Sequence, residues 1–225
     1  MNYKILILIF FCSVTTSAFS QMRYGAVVGG NLSRLAVSGS DLTSEFGAGA
    51  FVGVYVAVPL NSTLSIRSGL NFQHIGVKND FAKVVSVERR INYLELPVHV
   101  TYSISVPRAG SFLIGVGPFV GLQLSGSEKK KWEEIDATNG DVSFPSGVFE
   151  SDIVYSGDHA SMNRFDYGIS SLLGYKLSSG LFIRAGYNIG LAQLNKRQED
   201  FQFNATQKEY KEKSRIVSLG VGFEF

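Results

Sequence analysis

A chain of 225 residues with a formal net charge of +2 has the length of one domain and too little charge for a nucleic-acid-binding surface. Its single cysteine excludes a disulfide framework, and its 24 glycines recur inside alternating segments, where only crowding justifies them. Past the N-terminus, no segment approaches the ~20 continuous apolar residues of a membrane helix, so strands must make any membrane span.

Met1–Lys4 is short and basic, Ile5–Phe11 is an unbroken apolar run, and Ala18 and Ser20 supply the small residues that a signal peptidase reads. Residues 1–20 are expected to be a signal peptide cut before Gln21, leaving 21–225 as the folded domain. Cys12 follows Phe10 and Phe11, where a lipoprotein signal wants small residues, so lipid attachment is not expected.

Eight segments then alternate with period two, the signature of strands with one apolar and one polar face. The first, near Tyr24–Ser33, places Tyr24, Ala26, Val28 and Leu32 together. The second, Phe46–Val58, sets Val52, Val54, Val56 and Val58 against Gly47, Gly49, Phe51, Gly53 and Tyr55. In the third, Leu64, Ile66, Leu70 and Phe72 oppose Ser65, Arg67, Gly69, Asn71 and Gln73. In the fourth, Leu94, Leu96, Val98, Val100 and Tyr102 oppose Tyr93, Glu95, His99 and Thr101. Phe112–Leu124, Arg164–Leu177 and Leu181–Leu191 are the fifth to seventh. In the eighth, Val217, Leu219, Val221, Phe223 and Phe225 oppose Ser218, Gly220, Gly222 and Glu224.

The connections alternate strictly. Short turns are expected near Pro59–Ser62, Pro107–Gly110 and Ser178–Gly180, and long polar loops over 34–45, 78–90, 125–163 and 195–213. Short periplasmic turns and long external loops are the pattern of an eight-stranded antiparallel up-and-down transmembrane β-barrel, an all-β fold. Charge chemistry decides which face looks outward. The polar faces carry Arg23, Arg67, Glu95, Arg164, Asp166, Arg184 and Glu224 among Gly, Ser and Asn. A cation facing mid-bilayer lipid costs about 2–4 kcal/mol, so this set is expected inside, as a polar network of Arg–carboxylate pairs. Glu224 is expected to face Arg23 on the neighbouring first strand.

Several pieces in this order, GGNLS at Gly29–Ser33, YLELPV at Tyr93–Val98, GVGPFVGLQL at Gly115–Leu124, RFDYGISSLLGYKL at Arg164–Leu177 and GLFIRAGYNIGL at Gly180–Leu191, resemble the PorT-like outer-membrane β-barrel family. The terminal SLGVGFEF completes the set. The resemblance implies a barrel in the outer membrane of a Gram-negative bacterium. It also implies that Phe223 and Phe225 form a C-terminal signal for the barrel-assembly machinery, and that an envelope or secretion-system protein is a candidate partner beside the surrounding lipid.

No catalytic or metal site, and no cofactor, is expected. His99 is read as a hydrogen-bonded interior residue and His159 as a loop residue. His74, at the outer end of its strand, has no nucleophile or acid assigned by spacing. The acidic residues of the longest loop lack the spacing of a calcium loop. Lys129, Lys130, Lys131 and Trp132 read as a solvated loop, or alternatively as an external contact with Trp132 as its anchor. Three functions stand open: a non-enzymatic barrel displaying long external loops, a narrow pore, and a lipid-modifying enzyme.

Overall fold

The structure is a computed structural model describing residues 22–38, 43–81, 85–132, 135–136, 143–156, 160, 162–195 and 211–225. The expected signal peptide and His159 lie outside the described residues. Among the described residues eleven strands follow in chain order: β1 (Arg23–Ser38), β2 (Thr43–Pro59), β3 (Leu64–Phe81), β4 (Val85–Val106), β5 (Gly110–Trp132), β6 (Ile135–Asp136), β7 (Ser143–Phe144), β8 (Gly147–Asp152), β9 (Phe165–Leu177), β10 (Leu181–Gly190) and β11 (Lys211–Glu224). Eight of them close a ring in the order β1-β2-β3-β4-β5-β9-β10-β11, with β11 paired back to β1 and every pairing antiparallel.

The eight alternating segments are these eight strands. On β1, Val27, Asn31 and Ser33 are buried while Tyr24, Val28 and Leu32 are exposed. Val52, Val54, Val100, Ile114, Leu173 and Leu219 are each more than half exposed. A belt of bare aliphatic side chains around the whole ring has no place in water, and its polar partners fill the interior. Aromatic side chains edge this belt. At the end with the short turns, Phe112 and Tyr175 meet at 4.8 Å with their rings tilted by 58°, and Phe223 and Phe225 meet edge to face at 5.3 Å. Phe46, Phe72 and Phe165 edge the other end, called outer here, and all are exposed.

The turns are chemically determined. Between β2 and β3, the Asn61 side-chain oxygen accepts from the backbone N–H of Thr63 (2.9 Å) and Leu64 (2.7 Å). Between β9 and β10, Gly180 has φ +92°, and a Cβ there would lie 2.4 Å from the Glu224 carbonyl oxygen. Only glycine fits that turn against the last strand.

The long loops need correction. Most of 34–45 and 78–90 is strand, because β1 runs to Ser38, β2 begins at Thr43, and β3 and β4 pair up to Phe81 and Val85. The segment 125–163 opens as a continuation of β5 to Trp132, against which β8 adds. Once strands rise above the lipid both faces are wet, so apolar alternation fades while backbone pairing continues. Periodicity therefore marks where the apolar belt ends, not where the strands end.

Candidate functional site

The interior is filled in layers. Nearest the short-turn end, Glu224 is a hub: its carboxylate accepts from Arg67 (3.0 Å), Arg23 (3.3 Å), Tyr55 (3.0 Å) and Lys176. Glu224 points inward because strand alternation sends its neighbours Phe223 and Phe225 outward. Arg67 also lies over the Tyr55 ring at 4.2 Å.

The middle layer centres on Glu95. It has no cation within ion-pair distance among the described residues and is bound instead by three amides. Asn71 donates at 3.2 Å, Gln73 at 2.9 Å and Asn188 at 2.6 Å. Arg184 sits beside this group, donating to Asn71 (3.4 Å) and lying over the Phe51 ring at 5.4 Å. His99 meets the Ser170 hydroxyl at 2.9 Å, and Ser170 donates to Asn188 at 2.7 Å. A cavity of about 30 Å³ is the space left beside these side chains. Further out, Asp166 accepts from Ser214, from Tyr93 (3.4 Å) and from the Tyr167 backbone (2.8 Å).

Above Asp166 the interior turns apolar. Leu35, Ile75, Val77, Ile91, Phe119 and Ile216 from the wall meet Ile153, Tyr155, Met162 and Leu194 from the connections, all buried. Over this cap Arg89 bridges Glu128 (2.7 Å) and Glu212 (3.1 Å), tying β4 to β5 and β11. Burial works against the Glu128 carboxylate, but Arg89 and then Lys130 outweigh it and hold its pKa below the usual carboxylate value. A depressed folded pKa stabilises above the unfolded value and is lost as pH falls through the folded one. Limited proteolysis of the outer extension is therefore expected to be flat at neutral pH and to accelerate only below about pH 4.3. Arg89→Ala, which leaves two carboxylates facing each other, is expected to bring that cleavage to pH 7.

Of the seven charged residues assigned to the interior, six lie in or at the mouth of the barrel. Arg23 is at the mouth with its side chain 41% exposed, and Arg67, Glu95, Asp166, Arg184 and Glu224 lie within. Arg164 does not join them. It precedes β9, is exposed, and lies over the Tyr155 ring at 5.5 Å at the outer end. Lys129–Trp132 is not a loop but the end of β5, where Lys131 pairs with Glu88 and Lys130 with Glu128, each at 3.0 Å. Trp132 remains on the outer surface, its indole N–H donating to the Pro145 carbonyl at 3.0 Å.

The sequence reading sets Tyr55, Tyr93 and Gln73 on the polar faces without a part in the network, and does not reach Asn188 or the Arg89 triad. The first four carry a signal, since each falls on the inward parity of its strand.

His74, exposed at the outer end of its strand, is the histidine that the sequence offers for lipid chemistry. Its Nδ1 meets the Asn92 side-chain oxygen at 3.0 Å, and the Asn92 amide donates to the Ser125 hydroxyl at 2.9 Å. In this row the asparagine stands between imidazole and hydroxyl, so His74 does not contact Ser125 directly. Among the described residues no three His, Cys, Asp or Glu side chains group to hold a metal ion.

A family model described as outer membrane protein beta-barrel domain matches residues 16–196. Among solved structures, the attachment invasion locus protein Ail of Yersinia pestis is similar at 13% identity, covering 90% of this chain and 98% of its own, with TM-score 0.43. Neisserial surface protein A is 13% identical over 91% of this chain and 97% of its own, with TM-score 0.40. OprG from Pseudomonas aeruginosa is 11% identical over 90% and 95%, with TM-score 0.41. No curated protein matches the sequence. With the family model spanning most of the ring of strands, the chain belongs to the outer membrane protein beta-barrel domain family, in the outer membrane of a Gram-negative bacterium.

Proposed function

We propose that this protein is a non-enzymatic barrel that presents a raised β-platform to a partner outside the cell. One observation carries the reading: β3, β4 and β5 continue past the lipid belt as a paired sheet, to which β8 adds, above an interior filled by buried apolar side chains. From Leu94 to Val85, β4 rises roughly 30 Å along the strand at about 3.3 Å per residue. The platform displays Trp132, Val148 and Phe149, at 36%, 61% and 55% exposure. Exposed aromatic side chains such as Trp132 and Phe149 are the residues enriched at protein contact surfaces. The apolar cluster and the hydrogen-bonded polar layers fill much of the interior, which weighs against the narrow pore. The row at His74 weighs against the lipid-modifying enzyme. The PorT-like resemblance makes a component of an envelope or secretion system the first partner to test.

The test compares a deletion strain with one carrying Trp132→Ser/Val148→Ser/Phe149→Ser. The variant is expected in the outer membrane as a folded, heat-modifiable band with the phenotype of the deletion. Wild-type behaviour would sink the platform reading, and steady conductance from the purified protein in planar bilayers would favour the pore.

A further inference from the structure

The outward face just above the apolar belt carries a cluster that the closed interior does not explain. Arg34 on β1 and Arg215 on β11 are direct partners in the antiparallel register. Both fall on the outward parity, since Ser33, Leu35, Ser214 and Ile216 beside them are buried. Lys213, two residues further out on β11, shares that face. Like charges directly opposite across a sheet destabilise it. No ion pair to a carboxylate is found for Arg34 or Arg215 among the described residues, and Glu45 on the adjacent β2 is bonded to Lys78 at 3.2 Å.

The position of the pair is as informative as its charge. Arg34 lies two residues beyond Leu32, and Arg215 two residues before Val217 in the opposite direction of chain travel, both apolar and exposed. The Arg34 guanidinium rests over Phe46, an aromatic of the outer rim, at 4.9 Å. Arg215 Nη1 donates to the Gly190 carbonyl (2.9 Å) and the Ser214 carbonyl (2.8 Å), which orients its guanidinium along the wall. The cluster thus stands at the height of the lipid headgroups, where an anion would remove the repulsion. Guanidinium groups are matched in geometry to phosphate oxygens, with which they form paired charge-assisted bonds.

We propose that Arg34 and Arg215, assisted by Lys213, form a binding site for a phosphate group of the outer-leaflet glycolipid. The acyl chains of that lipid would lie along the exposed aliphatic face of β1 and β11 below. The site is independent of any partner on the platform.

The full-length protein is refolded in zwitterionic detergent and titrated with bisphosphorylated lipid A or with the same lipid dephosphorylated, bound lipid being read by native mass spectrometry. The wild type is expected to bind the phosphorylated lipid at least tenfold more tightly. Arg34→Gln/Arg215→Gln is expected to abolish that preference, and Arg108→Gln, at a turn on the opposite end, to keep it. Because Arg215 also holds the Gly190 carbonyl, Arg34→Gln alone serves as the second variant. It is expected to lose most of the preference while unfolding in lipid-free detergent at the same or a higher temperature than the wild type. The proposal is overturned if the double variant keeps the tenfold preference, if the wild type does not distinguish the two lipids, or if Arg34→Gln is less heat-stable without lipid.

Discussion

Glu224→Ala will lower the unfolding free energy of the barrel by about 3–5 kcal/mol, the cost of stranding a buried charge. The stranded group is Arg67, whose side chain is 5% exposed and whose one carboxylate partner among the described residues is Glu224, at 3.0 Å. Arg23 and Lys176 lose the same partner but sit nearer the mouth, where water can replace it. Glu224→Gln keeps the side-chain shape and an acceptor for Tyr55, and is expected to cost nearly as much because the charge is what Arg67 needs. Arg67→Met/Glu224→Met removes both charges and is expected to recover most of the loss, since an apolar replacement of a buried pair is close to neutral. Urea titration of the protein in lipid vesicles, followed by tryptophan fluorescence and heat-modifiable migration, reads all three. A Glu224→Gln variant as stable as the wild type would show that hydrogen bonding, not charge, holds this layer.

Gly121→Ala is expected to be nearly as damaging, at about 3 kcal/mol for overpacking a filled interior. A Cβ at Gly121 would lie 1.8 Å from the Tyr93 hydroxyl oxygen and 2.1 Å from its ring carbon. Tyr93 has nowhere to go: it is 1% exposed, packed in the apolar cap and bonded to Asp166. Tyr93→Ala alone opens a cavity at a cost of about 3–5 kcal/mol. In the Gly121→Ala/Tyr93→Ala double variant the added methyl enters that cavity, so the two losses should fall short of additive by about 1–3 kcal/mol. Strict additivity in urea titrations would mean that Tyr93 does not occupy the space Gly121 leaves.

These two sites show where reading from the sequence works and where it stops. Parity and the cost of charge in lipid together put Glu224 inward, and the register that sets β1 beside β11 brings Arg23 to its carboxylate. Arg67 lies on β3, two strands from β1, and no rule of strand adjacency brings it there. It reaches Glu224 because the ring is narrow enough for long side chains to cross it. Gly121 could be read as a crowding glycine, but not that Tyr93 is what crowds it. Arg164 was misplaced because its parity was extended one residue before β9 begins, into a bend where strand alternation no longer applies. Lys129–Lys131 was misread for the opposite reason, since a strand wet on both faces loses the apolar period that would reveal it.

The sequence by itself determined the eight alternating strands, the short turns, and the face residues take within the apolar belt, because period-two alternation is a local consequence of backbone geometry. It also required that charge point inward, because a cation costs too much in mid-bilayer lipid. Only the tertiary structure decided which inward residues touch, that the outer half of the interior is closed by apolar side chains from distant connections, and that the strands continue as a sheet above the lipid. It alone set Arg34 beside Arg215. Those outcomes depend on register and ring closure, which join residues as far apart as 23 and 224 through backbone pairing that leaves little trace in either local sequence.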